Sequence, residues 1–401
     1  MVRFNKYFLM EEKDVLLYAK NKLKYFNPND NITCKEIGNG NINYVYRISN
    51  GKESIILKQA GIHTRSNSSG RVLDVNRNTK EAEILSYYST ILPNLSPKIF
   101  HIDKIMNLFC MEDLKEYLVL RDALMQGNIY YHLQEQISDF LVESTLSTAD
   151  FFMDTFSKKD NVAKYINKEL CNISEELVFT EPFFNLLKEN VFSDSLKPFV
   201  QEHLYSNTSL QTEAAKLKYE FMNNAQALIH GDLHTGSIFV NDNYVKVMDC
   251  EFAFYGPIGY DVGTIIANFI FSYIYHINVT NDRNYISFLF KLIDDILVFF
   301  KNKFVIKFLN DSKDISVKNN DFVSFYLSNV LKTSFGICGL EILRRTTGCA
   351  RVKEIESVSD DKVRSHIEYT LLNIGIEFII NRDKLSNSET IMEFVENIVF
   401  R

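Results

Sequence analysis

The segment that most constrains this chain is Ile229-His230-Gly231-Asp232-Leu233-His234-Thr235-Gly236-Ser237-Ile238-Phe239-Val240, with Val247-Met248-Asp249-Cys250-Glu251 close behind. A short apolar run feeds a polar loop, a second run follows, Asn241-Asp242-Asn243 turns the chain, and a third run ends in two acids. The pattern predicts a strand, a functional loop, a hairpin and a strand end that presents carboxylates. Phosphoryl transfer needs little more than a carboxylate near the acceptor hydroxyl and acids that hold Mg²⁺ against the phosphates. Asp232 is the candidate for the first role, and Asp249 with Glu251 for the second. Two positions apart on a strand, Asp249 and Glu251 are expected to share a face. An isolated D-x-E is usually the wet face of a hairpin; the His-Gly-Asp at this spacing is what turns it into a metal candidate.

The chain has 401 residues, enough for two lobes with large cores, and it is 46% hydrophobic and 24% charged, an ordinary globular balance. With a net charge of -7 and no basic block, nucleic acid is not an expected partner. Cys34, Cys110, Cys171, Cys250, Cys338 and Cys349 are scattered without C-x-x-C spacing, so reduced thiols in the cytoplasm are expected, and neither a zinc site nor a disulfide framework. The first twenty residues carry charges throughout and lack the apolar core of a signal peptide. The most apolar stretch, 265–277, reads as too short to span a bilayer, so no membrane partner is expected.

The N-terminal part reads as β-rich. An amphipathic helix is expected over 11–26, ending before Asn27-Pro28. Gly38-Asn39-Gly40-Asn41 precedes a strand at 44–48, and Asn50-Gly51 joins it to a second strand that ends at Lys58. A Gly-x-Gly alone is weak; two strands before a lysine at a strand end, it fits a turn over phosphates, with Lys58 as their point charge. A helix is expected near 79–92, where Glu81 shares the face of Ile84 and Leu85. An acid on an apolar face wants a cation, and Lys58 is the candidate; Glu83 reads as solvated. The polar linker 65–70 reads as mobile and able to fold over nucleotide. From 129 onward helical periodicity dominates: 134–146, 182–190, 212–224, 265–277, 285–300 and 322–343.

In sum of motifs, H-G-D-x-H at His230 to His234 resembles the aminoglycoside-phosphotransferase and choline-kinase superfamily, which is protein-kinase-like. Most members place an Asn five residues after the Asp, where this chain has Ser237. H-G-D-L-H-T-G-S followed by D-x-E-F-A-F-Y-G-P resembles the methylthioribose kinases in particular, which usually have Pro where Cys250 stands. The resemblance implies an α+β, bilobal protein-kinase-like fold: a small β-rich nucleotide-binding lobe over 1–113 and a larger, mostly helical catalytic and substrate-binding lobe over 114–401. It implies ATP and Mg²⁺ as cofactors, with ATP in the interlobe cleft. Nucleotide and metal would be held by Gly38, Gly40, Asn41, Lys58, Glu81, Asp249, Cys250 and Glu251. Met111-Glu112-Asp113-Leu114 matches the hinge whose backbone binds adenine. The reaction implied is phosphorylation of 5-methylthioribose at its 1-hydroxyl in methionine salvage, with Asp232 as base and one of Arg344 and Arg345 on the sugar. The same pair reads equally as a charge cap at a helix C-terminus. A cytoplasmic homodimer follows by analogy. Glu251 is expected to supply the metal ligand that Ser237 does not. His230 and His234 are expected to brace the loop, with Asp261 as a scaffold residue. A kinase for choline or an aminoglycoside, and an inactive kinase-like binding module, are the competing readings.

Overall fold

Alternating apolar positions and an Asn-Gly turn fold the first part of the chain into an antiparallel sheet. Strands β1 (Thr33–Glu36), β2 (Asn43–Ser49), β3 (Ser54–Ala60), β4 (Ile99–Asp103) and β5 (Leu108–Glu112) lie in the order β1-β2-β3-β5-β4. The β2–β3 turn is closed by the Asn50 N–H to the Glu53 carbonyl at 3.2 Å, and Asn50 Oδ1 accepts from Lys52 and Glu53. Gly51 sits at φ +88°, a conformation a side chain would strain.

Period-2 alternation then sorts β3. Ile55 and Leu57 face a cluster with Val15, Tyr18 and Ala19 of helix α1 (Glu12–Lys22), which leaves Ile56 and Lys58 on the opposite face. Helix α2 (Arg77–Ile91) brings the buried Glu81 to Lys58. The expected first helix stops at Lys22, not at residue 26, because Leu23 turns extended. Tyr25 and Phe26 then pack against the same core cluster. The structure, a computed structural model, describes residues 2–37, 43–63, 71–386 and 390–400. Two compact units emerge: residues 1–117 with 246–251, and residues 118–245 with 252–401.

The second unit is mostly helical. Its principal helices are α3 (Leu120–Met125), α4 (Leu133–Leu146), α5 (Thr208–Asn223), α6 (Gly259–Tyr275), α7 (Arg283–Asp311), α8 (Asn320–Thr347) and α9 (Asp361–Leu385). Short strands interrupt them. β6 (Leu118–Val119) pairs with β8 (Ile238–Val240), and β7 (Ala227–Ile229) pairs antiparallel with β10 (Phe254–Gly256). Helices α8 and α9 cross in close contact: a Cβ added at Gly339 would lie 2.5 Å from the Gly375 carbonyl oxygen.

Two expectations need correction here. A helix over 182–190 shrinks to Glu181–Phe184, because Asn185 and Lys188 take left-handed conformations at φ +45° and +56°. Side chains stabilise the resulting loop: Glu181 Oε2 accepts from the Leu187 N–H at 3.1 Å, and Asn190 donates to the Glu181 carbonyl at 2.9 Å. The apolar stretch at 265–277 belongs to a longer helical run, Gly259–Thr280, which is long and apolar enough to cross a membrane. Length therefore does not argue against a span; burial does, since 78% of the run's apolar window is packed inside this unit.

Candidate active site

The first cluster belongs to the first unit. Lys58, 3% exposed, places Nζ 2.7 Å from Glu81 Oε1 and 2.6 Å from Asp249 Oδ1. Burial opposes the Lys58 ammonium, but Asp249, Glu81 and Glu251 together outweigh it and hold its pKa above the ordinary lysine value. Burial, opposed by Lys58 and reinforced by Asp249 and Glu251, pushes the Glu81 carboxyl up. The Lys58–Glu81 pairing argued from the helix face is therefore present.

Asp249 and Glu251 do not reach the cluster in the way strand alternation suggested. Strand β9 (Val245–Val247) ends two residues earlier, Asp249 is left-handed at φ +63°, and Cys250–Phe252 form a 3₁₀ turn. A non-glycine residue in that region is sterically disfavoured and occurs mainly where surrounding structure imposes it. Asp249 leaves 44% of its side chain exposed. Glu251 Oε2 accepts from Asn43 Nδ2 at 2.9 Å and lies 3.3 Å from Arg77 Nε. Cys250 is buried, its thiol 3.7 Å from the Glu81 carbonyl. Both carboxylates are ion-paired, Asp249 with Lys58 and Glu251 with Arg77, so a hard cation, which needs only one or two protein carboxylates, would compete with those side chains.

In the segment 111–114, expected to be a hinge, the Asp113 carboxylate is gripped bidentately by Arg47 at 2.7 and 3.0 Å and accepts from Ser54. Glu112 Oε2 accepts from the Lys98 N–H and lies 3.3 Å from Lys246 Nζ, and Leu114 is buried. These side chains are structural, so a hinge role would fall to the backbone. Gly38, Gly40 and Asn41 lie outside the described residues, as does the linker 65–70.

The second cluster belongs to the second unit and is built by the loop after β7. Gly231, at φ +79°, lets the chain turn beneath Phe252, whose carbonyl oxygen would lie 2.4 Å from an added Cβ. Asp261 anchors the turn by accepting the N–H groups of His230 at 2.6 Å and Gly231 at 3.0 Å. The Asp232 N–H donates to His230 Nδ1 at 3.3 Å, so His230 and Asp261 do brace the loop. Ser237 is buried, and its hydroxyl donates to the carbonyls of Asp232 and His234 while accepting the His234 N–H. That hydroxyl is committed to the loop.

Asp232 faces two guanidinium groups and an imidazole. Its Oδ1 lies 3.5 Å from Arg344 Nη2 and 3.6 Å from Arg345 Nη2, and Oδ2 lies 3.4 Å from His234 Nε2. Both arginines arrive, although adjacent helical positions point about 100° apart. The cause is Glu341, one turn earlier on α8 and fully buried. One carboxylate oxygen pairs with Arg344 Nε, and the other accepts from Arg345 Nε at 2.9 Å. Burial would raise Asp232, but His234, Arg345 and Arg344 outweigh it and hold the carboxyl far below the usual range. Sequence reasoning missed Glu341 and Arg121. Arg121 donates to Asn268 Oδ1 at 2.8 Å, and its backbone N–H donates to the Thr235 carbonyl at 3.0 Å. The Glu341-x-x-Arg344-Arg345 spacing was a readable signal, since i,i+3 and i,i+4 acid–base pairs meet on a helix.

Residues 195–276 match the phosphotransferase enzyme family (APH). The fold is shared with choline kinase from Cryptosporidium parvum, at a TM-score of 0.50 and 13% identity, covering 97% of this chain and 98% of that one. Methylthioribose kinase of Geobacillus sp. (strain WCH70) is 34% identical over 92% of this chain and 91% of its own length. Those of Yersinia pseudotuberculosis serotype O:1b and Bacillus cereus (strain AH187) are each 32% identical over more than nine-tenths of both chains. With relatives this similar over almost their whole length, and with a protein-kinase-like fold, the chain belongs to the methylthioribose kinase family.

Proposed function

We propose that this chain transfers the γ-phosphoryl group of ATP to the 1-hydroxyl of 5-methylthioribose, giving 5-methylthioribose 1-phosphate in methionine salvage. The observation that carries the reading is the arrangement around Asp232: one anionic carboxylate with two guanidinium groups fixed beside it by a buried glutamate. Asp232 orients the acceptor hydroxyl and takes its proton. So acidic a carboxylate is a weak base, which a loose transition state with late proton transfer tolerates. Arg344 and Arg345 carry several donors each in a rigid fork, which suits adjacent sugar hydroxyls.

Lys58 contacts the phosphates and is kept in place by Glu81. Asp249 and Glu251 would hold Mg²⁺, which would supply positive charge against the phosphates. The commitment of Ser237 to its own loop supports giving the second metal contact to Glu251. Residues 1–113, joined by Asp249 and Glu251, serve nucleotide and metal, and the remainder of 114–401 serves catalysis and sugar, in a cytoplasmic homodimer by analogy with the family.

A phosphorylation assay across methylthioribose, ribose, choline and an aminoglycoside tests the reading. Efficient turnover is expected for methylthioribose alone. Comparable kcat/KM with choline or an aminoglycoside would sink it.

A further inference from the structure

His234 follows Asp232 by two residues, and its main chain is fixed at both ends of a tight turn. Its N–H donates to Ser237 Oγ at 3.1 Å, and its carbonyl accepts the Ser237 N–H at 2.9 Å. The imidazole is thereby aimed at the acid: Nε2 lies 3.4 Å from Asp232 Oδ2. The other ring nitrogen, Nδ1, is buried and meets no hydrogen-bond partner among the described residues.

Three protonation states compete for this geometry. With the proton on Nδ1 alone, a buried N–H would have no acceptor and the Nε2 lone pair would face a carboxylate oxygen. Both features are unfavourable, since an unmatched buried polar group costs its full desolvation. The imidazolium keeps the unmatched Nδ1–H and adds a positive charge where cations already crowd. Arg344 and Arg345 stand on α8 with Glu341 between them, and Arg121 comes from α3 with Glu354 behind it at 3.7 Å. The tautomer protonated at Nε2 turns its N–H toward Asp232 Oδ2, 3.4 Å away, and leaves only an unmatched lone pair.

Gly236 fits the same picture. A Cβ there would lie 2.9 Å from His234 Cε1 and 3.3 Å from Arg121 Nη1, so the glycine leaves room for imidazole and guanidinium together. Burial, with Arg345 and Arg121, also holds the His234 pKa below its ordinary value in spite of Asp232.

We propose that His234 is a neutral positioning residue: its Nε2–H fixes the carboxylate of Asp232, and it carries no proton to or from substrate. The inference rests on the kinase reading above for its catalytic meaning, but not for its protonation state. Misplacing a reacting group by about 1 Å can lower the rate on the order of 10²-fold.

Two measurements decide it. Nitrogen-15 NMR of the full chain labelled at histidine should show His234 protonated at Nε2 and bare at Nδ1, unchanged between about pH 6 and 8, the range where an ordinary imidazole titrates. A proton on Nδ1, or titration within that range, overturns the proposal whether or not the enzyme is active on methylthioribose. In kinetics, His234→Gln places an amide N–H near the Nε2 position, whereas His234→Asn places it near Nδ1. The Gln variant should keep kcat within a few fold of the parent. Asn and Ala variants should lose on the order of 10²-fold in kcat with the ATP KM unchanged. Equal activity in all three variants overturns the positioning role. A parent protein that ignores methylthioribose sinks the proposed function instead, and leaves the NMR result to judge His234.

Discussion

Asp232 sits among charges that leave it no neutral form near physiological pH. Its folded pKa is depressed, so the anion persists as pH falls through the ordinary carboxylate value of about 4, and any stability it contributes is present above that value and lost only at more acid pH. A pH–kcat/KM profile should therefore show no acidic limb from this group above about pH 4. Asp232→Asn keeps the shape and cannot accept a proton. It should lose 10²-fold or more in kcat, on the order expected for a general base, while nucleotide binding survives; a mutant retaining about a tenth of parental kcat would remove Asp232 from that role. Both arginines reach it, so Arg344→Ala and Arg345→Ala should each lower kcat/KM for the sugar by roughly 10- to 150-fold, the value of one charged hydrogen bond. The ATP KM should stay nearly constant; normal sugar kinetics in both variants would reduce the pair to a helix-end charge cap. At this scale the sequence disclosed Lys58 with Glu81, because an acid on an apolar helix face has few ways to be satisfied. It concealed the left-handed Asp249, which no glycine or turn motif marks.

Among the elements, legibility followed contrast between faces. Helix α2 and the β2–β3 hairpin were readable because apolar spacing and Asn50-Gly51 agreed. Helix α9 was not read, although Asp360 caps it and Ile367, Leu371, Ile374 and Phe378 recur at helical spacing. Tyr369, Leu372 and Ile376 stand among the intervening positions and blur the contrast between faces, and its partner surface on α8 is supplied partly by glycines, which hydrophobic patterns do not register. Those glycines set how closely α8 can approach α9, and α8 carries Glu341, Arg344 and Arg345. Gly339→Val would drive a branched side chain against the Gly375 backbone, where even a Cβ lies at 2.5 Å. The helices would have to part, at a cost of about 1–3 kcal/mol for overpacking. Denaturant unfolding should register that loss, and sugar kcat/KM should fall with it as the arginines shift. Unchanged stability in the variant would mean that this crossing is not close-packed in solution.

For the whole molecule, chain order and compactness do not coincide. Division at residue 113 follows the sequence, whereas residues 246–251 pack with the first unit. Contacts inside that unit explain why: the Val247 N–H donates to the Leu95 carbonyl at 2.9 Å, Lys246 donates to the Ser96 carbonyl at 3.2 Å, and Asp249 pairs with Lys58. Periodicity along a contiguous window carries no information about such a return. The consequence is that the proposed nucleotide groups belong to one unit and the proposed sugar groups to the other, so the two ligands should stabilise the protein through separable residues. Either ligand at about 100 times its dissociation constant should add ~2.7 kcal/mol of stability. Asp249→Ala should abolish most of the increment from Mg-ATP and keep that from methylthioribose. Arg345→Ala should do the reverse. Thermal or denaturant unfolding of both variants with each ligand alone measures all four responses. If Asp249→Ala loses the methylthioribose increment as fully as the Mg-ATP one, the assignment of Asp249 to the nucleotide and metal is wrong; if neither ligand stabilises the parent protein, the inactive binding module becomes the better reading.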